Sequence, residues 1–211
     1  MELTRTANAG ILLKLDGITI LLDGVCREVE PYPATPPELR TKLMERWPDV
    51  VAFTHLHKDH YDPAYAAAYT GQTGRVILGP GQIKGSMEPV AVGDVMVMPI
   101  PSRHIGAAGR EAEHASFLIK GSKCLWFLGD SAPSQWRGRE LPKPDVLVVP
   151  YAYANTPASW ALTQSFGAEK IVLLHMPDRE KDSVGLWSAV ETTAGASPSL
   201  CIPAMGQTLK F

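Results

Sequence analysis

Residues 49–63 read DVVAFTHLHKDHYDP. DVVAFTH is a short apolar run bounded by turn residues, the pattern of a buried strand. Asp62-Pro63 then opens PAYAAAY, which has the signature of a helix start. Between strand and helix lie His55, His57, Asp59 and His60, four potential metal ligands within six residues. His55 and His57 are two apart at the end of the strand, where alternate side chains point to the same side. A turn before Pro63 lets Asp59 and His60 face a neighbouring point. Neutral imidazole and carboxylate suit Zn²⁺, and also Mn²⁺ or Fe²⁺. A His-rich surface loop has the same composition, but it does not need a buried strand before it and a capped helix after it.

Working outward, AGILLKLDGITILLDG is two β-rich runs joined at Asp16-Gly17, a hairpin dipeptide. Residues 24–35 form a loop containing Pro31 and Pro33. TPPELRTKLMERW then predicts a helix with Thr35 as N-cap, Pro36 at the first helical position and Glu38 in the first turn. Downstream, RVIL (75–78) and VMVMPI (95–100) read as strands, with a short helix or turn in GPGQIKG between them. Residues 101–113 read as a loop. HASFLIK and KCLWFLG pair around Gly121-Ser122 as a second hairpin. DVLVVP (145–150) is a buried strand, Thr156-Pro157 starts a helix to about Phe166, and EKIVLLH (169–175) is again a strand. A helix around 183–193 and a strand in QTLKF close the chain. A hairpin followed by strand–helix units thus occurs twice, the halves meeting near residue 100. The pattern predicts one α+β domain over 1–211, with two mixed β-sheets packed face to face and helices outside.

Composition narrows the function classes. Of 211 residues, 45% are apolar and 20% charged, which excludes a disordered or fibrous chain. The net charge of −2 supplies no global basic field and argues against long nucleic acid as a partner. Cys26, Cys124 and Cys201 are an odd, scattered set, so no disulfide framework or CxxC clip is expected and all three read as structural. MELTRTANAG lacks the apolar stretch of a signal peptide, and no apolar run approaches membrane-spanning length. A cytoplasmic location is the expectation. The oligomeric state stays open.

THLHKDH resembles the HxHxDH signature of the metallo-β-lactamase superfamily, and its flanks resemble that family as well. The other family motifs have counterparts along the chain. ITILLDG ends in Asp23, VMVMPIPSRH in His104, KCLWFLGD in Asp130 and IVLLH in His175. The resemblance implies a four-layer αβ/βα sandwich holding two divalent metal ions, with Zn as the default and Mn or Fe as options. It places His55, His57 and His104 on one ion. Asp59, His60 and His175 hold the other, Asp130 lies between the two, and Asp23 supports the metal histidines from behind. Relatives that reduce oxygen at di-iron sites carry Glu where this chain has His57, a departure that favours the hydrolytic branch. The chain most resembles the stand-alone metal-dependent hydrolases of the ascorbate-lactonase-like branch.

The resemblance implies a metal-dependent hydrolase in which two metals lower the pKa of a bridging water. The substrate class is a small ester, lactone or phosphodiester. Asp59 and Asp130 would hold metal and the attacking water, and His114 would be a proton donor or a structural rim histidine. Arg103, Arg110 and Lys58 are candidate contacts to an anionic substrate. Tyr151, Tyr153 and Asn155 are candidate contacts after DVLVVP, with aromatic packing as the other reading. Two further functions use the same residues: a nucleotide or nucleic-acid phosphodiesterase, and a non-catalytic metal-binding sensor or partner platform.

Overall fold

The computed structural model describes residues 1–106 and 112–211. Its strands are β1 (Glu2–Arg5), β2 (Ile11–Leu15), β3 (Ile18–Leu22), β4 (Val50–Ala52), β5 (Val90–Val92), β6 (Val95–Arg103), β7 (Glu113–Lys120), β8 (Cys124–Phe127), β9 (Val146–Pro150), β10 (Lys170–Leu174), β11 (Leu200–Cys201) and β12 (Thr208–Lys210). The helices are α1 (Pro37–Glu45), α2 (Pro63–Thr73), α3 (Pro157–Ser165) and α4 (Leu186–Ala194). One sheet runs β12-β1-β2-β3-β4, the other β11-β10-β9-β8-β7-β6-β5. Both are mixed: β3 and β4 pair in parallel beside an antiparallel meander, as do β8, β9, β10 and β11.

The period-2 alternation of the strands assigns the layers. Leu13, Leu15, Ile20 and Leu22 of the first sheet share one core with Phe117, Ile119, Phe127, Val148 and Val172 of the second. The opposite face of the first sheet, with Leu21 and Val51, packs on Leu43 of α1 and Tyr65 and Tyr69 of α2. The opposite face of the second sheet, with Trp126, Leu147, Val149, Ile171 and Leu173, packs on Trp160 of α3 and Val190 of α4. The result is helix, sheet, sheet, helix, the sandwich expected from the sequence. No helix among the described residues is long and apolar enough to cross a membrane.

Three local expectations are corrected. The chain changes sheet between β4 and β5, and residue 100 falls inside β6; β12 then returns to the first sheet beside β1. Thr35 does not cap α1. Pro36 holds the cap position without a side-chain bond, while the Thr35 hydroxyl accepts from the Cys26 amide at 3.0 Å. Of RVIL, only Leu78 is bridged, in parallel to Ala52 and Ser86, because the chain turns at once at Gly79, φ +144°. The second helix is as expected. Asp62 accepts from the amides of Ala64 and Tyr65 at 2.8 and 3.0 Å and forms an ion pair with Arg40 at 2.8 Å.

Candidate metal centre

The parallel register of β3 and β4 sets Leu22 against Ala52, so the residues that follow run on side by side. Asp23, fully buried at φ +47°, accepts from the Thr54 amide at 2.7 Å and the Thr54 hydroxyl at 2.6 Å. It also takes the Nδ1 proton of His60 at 2.8 Å. The Thr54 proton is thereby committed, so the Thr54 oxygen accepts from His55 Nδ1 at 2.9 Å. The Ile105 carbonyl accepts from His104 Nδ1 at 2.6 Å. In the neutral rings these bonds leave the Nε2 atoms of His55, His60 and His104 as the unprotonated, inward-facing nitrogens.

His55 Nε2 and His104 Nε2 are 3.2 Å apart. Two lone pairs at that distance repel unless a cation lies between them. His60 Nε2 stands 3.3 Å from Asp130 Oδ2 without a hydrogen bond aligned to it. His175 Nε2 is 3.1 Å from Asp59 Oδ2 and 3.3 Å from Asp130 Oδ2. Among the described residues, three groups have candidate ligand atoms within 4.8 Å of one another: His55, His57 and His104; His55, His60 and Asp130; and Asp59, His60 and His175. The residues fit divalent metal: neutral imidazoles and carboxylates converge, and buried acceptor atoms lack protein donors.

The electrostatics agree. Burial, aided by the neighbouring His60, holds His55 well below the usual imidazole range. Burial also opposes charge on His60, but Asp130 and Asp23 outweigh it and raise His60 well above that range. The same contest, won by Asp130 and Asp59, lifts His175 to about 9. Burial acts to raise Asp130, yet His175 and His60 hold its carboxyl well below the carboxylate range. In metal-free protein the carboxylates thus hold protons where cations would otherwise stand.

Two glycines make the approach possible. A Cβ on Gly10 would lie 1.9 Å from the Asp23 carbonyl oxygen. One on Gly129, φ +52°, would lie 2.5 Å from Thr54 Cγ2 and 3.0 Å from His114 Nε2.

The remaining candidates divide. His114 is buried, its ring 5.2 Å from that of His55 and 5.8 Å from that of His104. Burial pushes it down to about 3, so the ring is neutral, and its Nδ1 shares a hydrogen bond with the Ser102 hydroxyl at 2.7 Å. Arg103 is exposed and donates to the Ser134 hydroxyl at 2.9 Å; Lys58 is exposed. Arg110 lies outside the described residues. Tyr151 reaches the centre, its ring 5.8 Å from His175. Tyr153 does not: it is fully buried, donates to the Ser131 carbonyl at 2.9 Å and accepts from Trp136 at 2.8 Å, which corrects the reading as a substrate contact. Asn155 makes no contact with the histidines among the described residues. Tyr32, which sequence reasoning passed over, packs edge-on against His175 at 4.4 Å. The available signal was a lone aromatic between Pro31 and Pro33, in the loop that follows Asp23.

The model of the β-lactamase superfamily domain matches residues 2–178. The chain belongs to the β-lactamase superfamily. Solved structures share this fold at low identity. An isothiocyanate hydrolase from Delia radicum gut bacteria is 19% identical with a TM-score of 0.66, over 100% of this chain and 99% of that one. A possible metal-dependent hydrolase from Veillonella parvula is 13% identical with a TM-score of 0.73, again over 100% and 99%. CmlA, a diiron β-hydroxylase from Streptomyces venezuelae, is 14% identical with a TM-score of 0.66, over 100% of this chain and 54% of that one. No curated protein matches this superfamily member.

Proposed function

We propose that this superfamily member is a metal-dependent hydrolase of a small ester, lactone or phosphodiester. The observation that carries the reading is the pair of unprotonated nitrogens, His55 Nε2 and His104 Nε2, facing each other at 3.2 Å beside the buried carboxylate of Asp130. One ion would be held by His55, His57 and His104, the other by Asp59, His60 and His175, with Asp130 shared. When bound, such ions acidify a coordinated water and polarise the group it attacks.

The chain's own residues do the rest. Asp23 fixes the tautomer of His60 directly and that of His55 through Thr54. Gly129 lets Asp130 close on the strand end that bears His55. His114 braces His55 and His104 from behind as a neutral ring. His57, the least buried of the six histidines, stands at the solvent side. Histidine at position 57 rather than glutamate favours hydrolysis over di-iron oxygen chemistry. The overall charge of −2 favours a small substrate over a long polyanion.

The test is direct. Purified protein is expected to take up close to two transition metals per chain, and a chelator is expected to abolish hydrolysis. A panel of lactones, aryl esters, isothiocyanates, bis-nitrophenyl phosphate and cyclic nucleotides identifies the substrate class. No metal uptake after reconstitution would sink the proposal. A full metal complement with no turnover on a broad panel would support the sensor reading instead.

A further inference from the structure

The loop between β3 and α1 and the turn after β9 come from opposite sheets, yet they meet over His175. Tyr32 is held by a two-sided bridge to Val29, with bonds of 2.7 and 3.2 Å. The base of its loop is pinned by Thr35 and Cys26. Its ring meets His175 edge-on at 4.4 Å and 77°. Tyr151 meets the same imidazole at 5.8 Å and 65°. Tyr32 and Tyr151 stand near each other, and both feel the charges of Asp130 and Asp59. Both residues are half-buried.

We propose that Tyr32 and Tyr151 form a two-hydroxyl clamp that binds an oxygen of the substrate's scissile group. The inference rests on the hydrolase reading and names how that site grips its substrate. A carbonyl or phosphoryl oxygen entering between them accepts one bond from each hydroxyl. A phenol is protonated at neutral pH, so each hydroxyl can donate. Tyr153, two residues on, has no such freedom, because its hydroxyl is saturated by Ser131 and Trp136. Ring contacts on His175 set the direction of the donors, and preorganised donors of this kind act most strongly on developing charge.

The experiment uses metal-loaded protein and the variants Tyr32→Phe and Tyr151→Phe, which keep the ring contacts and remove one donor each. Metal content and thermal midpoint are expected to match those of the parent. Affinity for inorganic phosphate, measured by calorimetry, is expected to fall about tenfold in each variant. On any substrate the parent turns over, kcat/KM is expected to fall about a hundredfold. Phosphate affinity within twofold of the parent in both variants overturns the clamp. Loss of metal from Tyr32→Phe also overturns it, since Tyr32 would then only brace His175. If the parent hydrolyses nothing on the panel, the hydrolase reading fails on its own, and the phosphate titration still decides the clamp. A parent that does not bind phosphate rules against it.

Discussion

The carboxylate of Asp23 accepts three hydrogen bonds in a site closed to solvent, from the Thr54 amide, the Thr54 hydroxyl and His60. Two of the three orient imidazoles, one directly and one through a hydroxyl. Asp23→Ala leaves a buried amide and a buried Nδ1–H without acceptors. The expected cost is about 2–4 kcal/mol, read from urea unfolding of metal-free protein. Metal affinity is expected to fall about 10–100-fold in a chelator competition. Unchanged affinity would mean that the histidines hold their orientation without it. The sequence motifs led to this residue and to the seven candidate ligands, because each motif follows a strand whose apolar pattern is plain. They did not separate Tyr151 from Tyr153, or reveal Tyr32. In a short irregular turn no period says which side chain faces inward, and only the packing of Trp136 and Ser131 buries Tyr153.

Among the elements, the end of β8 closely approaches the strand end that carries Thr54. Gly129 occupies the left-handed region there and presents hydrogen where any other residue would place carbon against Thr54. Gly129→Ala combines left-handed strain of about 1–2 kcal/mol with overpacking of about 1–3 kcal/mol. Its urea midpoint is expected to drop accordingly, and its metal content to fall, because Asp130 is the next residue. A stable variant with two bound metals would show that the approach is looser than it looks. The GD pair was readable as a motif, but the close contact behind the glycine was not, since it joins residues 75 positions apart. Long apolar strands and the Asp62 cap were legible because their signals are local. Thr35 was misplaced for the opposite reason: its hydroxyl is spent on Cys26, nine residues back.

At the scale of the whole molecule, the loops that carry the ligands extend from both sheets, so the centre ties the two halves of the sandwich together. The return of β12 to β1 does the same at the far end of the chain, and no local pattern announces that pairing. The centre therefore couples stability to pH, and the sign depends on metal. In metal-free protein His175 has its pKa raised from the ordinary 6.5 to about 9 by Asp130 and Asp59, against burial. The folded chain then holds this proton more tightly than the unfolded one. That contribution is fully present below pH 6.5 and is lost as pH rises through about 9. His60, raised in the same direction, adds to the loss. A coordinated nitrogen carries no proton, so metal removes this dependence, and metal affinity itself grows as protons leave. Thermal midpoints from pH 6.5 to 9 are expected to fall in chelator-treated protein. They are expected to stay level or rise in metal-loaded protein, with metal adding about 2.7 kcal/mol per site at a hundredfold excess over Kd. Parallel curves for the two forms would remove His175 and His60 from the ligand set, and with them the second ion.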